Sequence, residues 1–188
     1  MFITNIYTES DVGTRTMWKR VRETRRPLGL VITDVDGVLT DGKVLYNDDG
    51  SRGRMFSVID GHGFEMLKKH GFDVVLMSGE NDDNIARRAE KLDCVFLHSD
   101  GFDKKQVLDT FILFNYPTNT ETYVIGDDVG DIEIMRGATM AMTPKGSKLS
   151  EILGNEIQEL GKKGGDGAFR EFAETILLSN GIDPYEGL

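Results

Sequence analysis

The 188-residue sequence predicts an α/β fold, a parallel sheet covered by helices on both faces, with a small hairpin after the first strand. Two observations carry this. Short apolar, β-branched runs recur along the chain, and segments of helical character separate them. That alternation is the mark of βαβ units, whose crossovers lay helices on both faces of one sheet. Strands buried on both sides read as near-continuous apolar runs, as these do.

The elements follow in order. Pro27 separates an N-terminal arm, residues 1–26, from a single domain over 27–188. Leu28–Thr33 (LGLVIT) is a buried strand running into Asp34. Lys43–Tyr46 and Arg54–Val58 form two short strands around the turn Asn47-Asp48-Asp49-Gly50, so a hairpin is expected. Asp60 is placed to cap a helix reaching Lys69, with Gly71 just past its end. Phe72–Met77 is the next buried strand. Asp82–Leu92 is helical, Cys94–Leu97 extended, and Lys104–Phe114 helical with Asp103 at its start. Thr122–Ile125 is a strand leading into Gly126, Ile132–Met135 lies on a helix, and Thr139–Met142 is a last short strand. Ser147–Leu153 and Ala168–Leu178 are helices. Between them lies the glycine-rich stretch Gly161–Gly167, which opens a C-terminal tail over 161–188.

Composition narrows the function. Apolar content of 39% and charged content of 29% are those of a soluble globular chain. No apolar run reaches the ~20 residues of a membrane helix, and the N-terminus lacks a secretory apolar stretch. Cys94 is the single cysteine, so no intrachain disulfide can form, and a cytoplasmic setting is expected. The net charge of −10 argues against nucleic acid as partner. It is uneven: the arm carries Arg15, Lys19, Arg20, Arg22, Arg25 and Arg26 against Glu9, Asp11 and Glu23. An acidic body that binds phosphate needs a local cation, and a metal ion is the natural one.

Parallel sheets bind ligands beyond the carboxyl ends of their strands. The residues leaving those ends are Asp34 and Asp36, then Ser78-Gly79, then Lys104, then the run Gly126-Asp127-Asp128-Val129-Gly130-Asp131. Five carboxylates in one crevice raise each other's pKa unless a cation resolves the conflict. A hard divalent ion with oxygen ligands does so, and Mg²⁺ is expected where phosphate shares the coordination. Asp34 and Asp127 are the expected direct ligands, with the backbone carbonyl of Asp36. Asp128 and Asp131 would hold metal-bound waters or orient Lys104. At a strand end, residues two apart point to one side, so Asp34 and Asp36 can both face a phosphorus atom. Asp34 suits in-line attack, and Asp36 suits protonation of the leaving alcohol and later activation of water. Ser78 and the amides near Gly37 and Gly79 would hold the phosphoryl oxygens, with Lys104 offsetting their charge. His62, His70 and His98 lack the spacing of a metal site.

With these residues the sequence resembles the haloacid dehalogenase superfamily of phosphotransferases. TDVDGVLTDG matches the first motif, Ser78 the second, Lys104 the third and GDDVGD the fourth, over roughly residues 28–178. The resemblance implies a Rossmann-like fold, with Asp34 as nucleophile and Asp36 as general acid/base. Within the superfamily the chain is similar to the small sugar-acid phosphatases. These act on 3-deoxy-D-manno-octulosonate 8-phosphate or on nine-carbon acids such as N-acylneuraminate and deaminoneuraminate 9-phosphates. The hairpin after the first motif, DGHGFEMLKKHG (Asp60–Gly71) and GGDGAFREF (Gly164–Phe172) carry that likeness. Only 41 residues separate Asp36 from Ser78, too few to add a cap domain. The family covers its open site by forming a homotetramer, in which hairpins meet and a glycine-rich tail reaches a neighbouring subunit's site. Gly161–Gly167 would play that part. Glu80 and, eleven residues on, Lys91 resemble the nine-carbon members, whose glutamate and lysine meet the sugar acid. The octulosonate enzymes usually carry arginine at the Glu80 position. The basic arm departs from the family's short starts.

Three rivals share features. A phospho-acceptor receiver domain places its acidic pair adjacent on the first strand, unlike Asp34-x-Asp36. A sugar phosphomutase needs a cap. A catalytically inactive interaction module attached to sugar-nucleotide synthesis would not need every catalytic position filled, as here.

Overall fold

The computed structural model describes residues 27–100 and 103–186, so the basic arm over 1–26 lies outside the described residues. The chain runs β1 (Leu30–Asp34), β2 (Leu45–Tyr46), β3 (Arg52–Gly53), α1 (Val58–Lys69), β4 (Asp73–Ser78), α2 (Asp83–Lys91), β5 (Val95–His98) and α3 (Lys104–Asn115). It continues through β6 (Thr122–Ile125), a 3₁₀ turn at Val129–Asp131, α4 (Ile132–Arg136), β7 (Met140–Thr143), α5 (Lys148–Leu153), a second 3₁₀ turn at Gly154–Glu156, β8 (Gln158–Glu159) and α6 (Ala168–Ser179).

Six strands form one parallel sheet in the order β5-β4-β1-β6-β7-β8, and β2 and β3 pair antiparallel beside it. Neighbouring residues along β1 face opposite layers, as strand geometry requires. Val31 joins the core under α1, α2 and α6 with Phe64, Leu67, Ile85, Phe169 and Phe172. Leu30 and Ile32 join the opposite core with Leu108, Phe111, Ile134 and Leu149 of α3, α4 and α5. The three-layer arrangement expected from the sequence is therefore present. No helix among the described residues is long and apolar enough to cross a membrane.

Two expected elements are corrected. The second hairpin arm lies at Arg52–Gly53, not Arg54–Val58, because the bond from Gly50 N–H to the Asn47 carbonyl closes the turn early and α1 already begins at Val58. Asp60 is not the cap of α1, whose N-cap is Ser57. It is buried in the first turn and accepts a hydrogen bond at 3.0 Å from the backbone N–H of Arg170 in α6. The first-turn amides of α6 have no partner within the helix, and its N-cap, Gly167, has no side chain to serve them, so Asp60 takes that place.

Candidate active site

The chain passes from β1 outward to β4 and β5, then crosses back to β6 on the other side of β1. Such a reversal opens a crevice at the carboxyl ends of the two central strands. Asp34 is the last residue of β1, Ser78 the last of β4, and Asp127 follows β6 by two residues.

Lys104 is placed by its helix. Asp103 caps α3 by accepting from Lys105 N–H at 2.8 Å, which puts Lys104 in the first turn facing the crevice. Its Nζ donates to Asp34 Oδ1 at 2.5 Å and to Asp131 Oδ1 at 2.7 Å. Asp131 is 1% exposed, and its second oxygen accepts from Asp127 N–H at 3.1 Å. Carboxylate oxygens of Asp34, Asp127 and Asp131 lie within 4.8 Å of one another. Gly37 makes the approach possible: it has φ +100°, and a Cβ there would fall 2.0 Å from Asp127 Oδ2.

Electrostatics match this crowding. Burial pushes the Asp34 carboxyl up to about 8; Lys104 opposes the rise, and Asp131 and Asp127 add to it. Burial, Asp131 and Asp128 push Asp127 up to about 6. Burial works against the Lys104 ammonium, but Asp34 and Asp131 more than offset this and raise its pKa. One ammonium among three carboxylates leaves excess negative charge on hard oxygen donors. A divalent cation fits that set.

The remaining expected residues divide. Ser78 is buried at the crevice, its hydroxyl accepting from Glu80 N–H at 3.0 Å. Gly79 is exposed beside it. Asp131 accepts from Lys104 Nζ, whereas Asp128 is exposed and caps the 3₁₀ turn through Val129 N–H at 2.7 Å. Asp36 lies past the end of β1, so the turn Val35–Thr40 aims it, not strand alternation. Its carboxylate faces Arg54, which donates at 2.7 and 2.9 Å. Glu80 is exposed and paired with Arg52 at 3.0 Å. Lys91 is not brought to the crevice of its own chain. It ends the nine-residue α2, about 12 Å along the helix axis from the end near β4, where the chain turns to enter β5.

The sequence places Arg54 in a strand and gives no local signal of its role, since its partners Asp36 and Asp82 are distant along the chain. It also gave the glycine-rich stretch only a reach toward another subunit. Here Gly165 N–H donates to the Val38 carbonyl at 2.9 Å, and a Cβ on Gly164 would fall 1.8 Å from the Gly37 carbonyl oxygen. The stretch braces its own chain's Gly37–Asp41 loop.

An aspartate-ended central strand, a hydroxyl on the next strand, a lysine and a terminal aspartate cluster define a phosphotransferase of the haloacid dehalogenase type, without a cap. No protein-family profile matches the chain. It is 31% identical over 152 residues to the 3-deoxy-D-manno-octulosonate 8-phosphate phosphatase KdsC of Haemophilus influenzae, covering 80% of this chain and 83% of that protein. The crystal structure of 3-deoxy-D-manno-octulosonate 8-phosphate phosphatase from Moraxella catarrhalis, in complex with magnesium, phosphate and KDO, superposes with TM-score 0.71 at 29% identity, over 80% of this chain and 86% of that one. N-acylneuraminate cytidylyltransferase A of Danio rerio is 28% identical over 151 residues, 79% of this chain and 35% of that protein. The chain belongs to the small sugar-acid phosphatases of the haloacid dehalogenase superfamily, and it is a phosphoric monoester hydrolase.

Proposed function

We propose that the protein hydrolyses the terminal phosphate of a 2-keto-3-deoxy sugar acid, with Mg²⁺ as cofactor and a phospho-aspartyl intermediate on Asp34. The observation that carries this reading is Lys104 bridging Asp34 and Asp131 inside the carboxylate cluster at the switch point. Asp34 and Asp127 would hold the ion together with the backbone carbonyl of Asp36, and Asp131 would stand beside its hydration shell. The bound cation lets these carboxylates stay ionised together and draws charge from the phosphoryl oxygens.

Asp34 attacks phosphorus, and Lys104 and Ser78 hold the oxygens on which charge builds. Asp36 protonates the leaving alcohol, then takes a proton from the water that releases phosphate from Asp34. Relatives of this chain are named for the eight-carbon octulosonate phosphate, which favours that substrate. A second reading, a nine-carbon acid, is favoured by Glu80, exposed at the rim where the octulosonate enzymes usually carry arginine. Lys91 does not support it within one chain. Phosphate release from a panel of eight- and nine-carbon sugar-acid phosphates, with and without Mg²⁺, tests both readings. Activity on neither, or full activity in chelator, would overturn the proposal.

We also propose a homotetramer assembled through the hairpins, in the cytoplasm. Leu45, Tyr46, Met55, Val58 and Ile59 form an exposed apolar group on the hairpin and the start of α1, a surface suited to burial against copies of itself. Sedimentation of a monomer at micromolar concentration would rule the assembly out.

A further inference from the structure

Arg54 lies between β3 and α1, and none of its side chain is exposed. Its Nε donates to Asp36 Oδ1 and one terminal nitrogen to Asp36 Oδ2, at 2.7 and 2.9 Å, while the other terminal nitrogen donates to Asp82 Oδ2. Asp82 is itself fixed. Its Oδ1 accepts from Asn84 N–H at 2.8 Å as the cap of α2, and its Oδ2 lies 3.3 Å from Arg52 Nε. A buried guanidinium with one fork on a helix cap and the other on a carboxylate cannot rotate freely, and neither can the carboxylate.

We infer that Arg54 is the positioning residue for Asp36: its fork fixes the plane of the carboxylate that exchanges the proton. The inference rests on the proposed function. The fork occupies one lone pair on each Asp36 oxygen. The Thr40 hydroxyl lies 3.3 Å from Oδ1 as well. In the first half-reaction the bond from Asp34 to phosphorus forms, the bond to the leaving oxygen breaks, and the Asp36 proton passes to that oxygen. In the second, water bonds to phosphorus, the bond to Asp34 breaks, and the water's proton returns to Asp36. One orientation serves both steps.

The test compares the full-length protein with Arg54→Ala and Arg54→Lys on two substrates. One is the sugar-acid phosphate that the wild type turns over, an alkyl ester whose oxygen must be protonated to leave. The other is p-nitrophenyl phosphate, whose phenolate leaves without a proton. For both, kcat/KM reports the steps through formation of the phospho-enzyme. Arg54→Ala is expected to lower kcat/KM roughly 30-fold on the alkyl ester, less than the ~10²–10⁴-fold a general acid contributes, because Asp36 itself remains. Its loss on the aryl ester should be at least tenfold smaller. Arg54→Lys should fall between, since an ammonium cannot fork. Equal losses on the two substrates, or no loss on the alkyl ester, would overturn the assignment. If Arg54→Ala does not fold, Arg54→Lys decides by the same ratio. A wild type inactive on both esters would instead sink the phosphatase reading on which this rests.

Discussion

The carboxylate of Asp60 in α1 accepts a hydrogen bond at 3.0 Å from the backbone N–H of Arg170, 110 residues further along the chain. It therefore caps a helix other than its own. Burial raises its pKa, while the amides of Arg170, Gly167 and Phe169 and the charge of Arg88 work the other way. Phe64 and Phe169 stack beside it at 4.1 Å, so cap and apolar contact fix the same helix pair. Asp60→Ala should cost about 1–2 kcal/mol, the usual loss for an N-cap oxygen. Asp60→Asn, which keeps an acceptor, should cost less. Urea midpoints at unchanged slope measure both, and equal stability of all three proteins would refute the cap.

Asp34→Asn should abolish turnover and leave the fold intact, because an amide is not a competent nucleophile. Beryllofluoride should form a phospho-aspartate mimic on the wild type alone. Steady-state activity in the mutant would remove the covalent mechanism.

Removing the metal should stop catalysis, Mg²⁺ should restore it, and Asp127→Ala should raise the Mg²⁺ requirement or eliminate activity. The site also makes a stability prediction. In chelator, Asp34 and Asp127 stand above their ordinary value of 3.8, so the folded state binds protons more tightly than the unfolded. The stability they contribute is fully present below that value. It is lost as pH rises through about 6 for Asp127 and about 8 for Asp34. A cation replaces the missing protons, so Mg²⁺ should raise Tm more at about pH 8 than at about pH 5. An equal increment at both would contradict the placement of the ion among these carboxylates.

Gly164→Ala should damage activity without removing any catalytic group, since the new methyl collides with the Gly37 carbonyl and must displace the loop or its brace. A tenfold or greater loss in kcat/KM is expected from such a misplacement near the nucleophile. Deleting the whole tail is a poorer test, because α6 contributes Phe169, Phe172, Ile176 and Leu177 to the core. Wild-type kinetics in Gly164→Ala would show that the brace is dispensable.

The crevice was legible in the sequence because each of its groups follows a buried strand or opens a capped helix, and both signals are local. Asp34 closes an apolar run, and Asp103 announces the helix that presents Lys104. What stayed hidden depends on distant partners. Nothing near Asp60 says that it will serve Arg170, and nothing near Arg54 says that Asp36 and Asp82 will converge on it. β8 has two residues, Gln158 and Glu159, too few for any periodicity to show. Lys91 ends α2, as its spacing from Glu80 implies, but spacing along a helix does not say which substrate group it meets.

The bond from Gly165 to Val38 also sets when, in the life of each molecule, the crevice is finished. The nucleophile's loop is made early in synthesis, and its brace leaves the ribosome only after β1 through β8 have been threaded. The brace is anchored in turn by α6, which emerges later still. A nascent chain stopped at β8 would carry Asp34, Lys104 and Asp131, yet its Gly37–Asp41 loop would lack its support. Phosphate release during synthesis should therefore lag behind formation of the sheet, and a stalled chain would report an incomplete product by its silence.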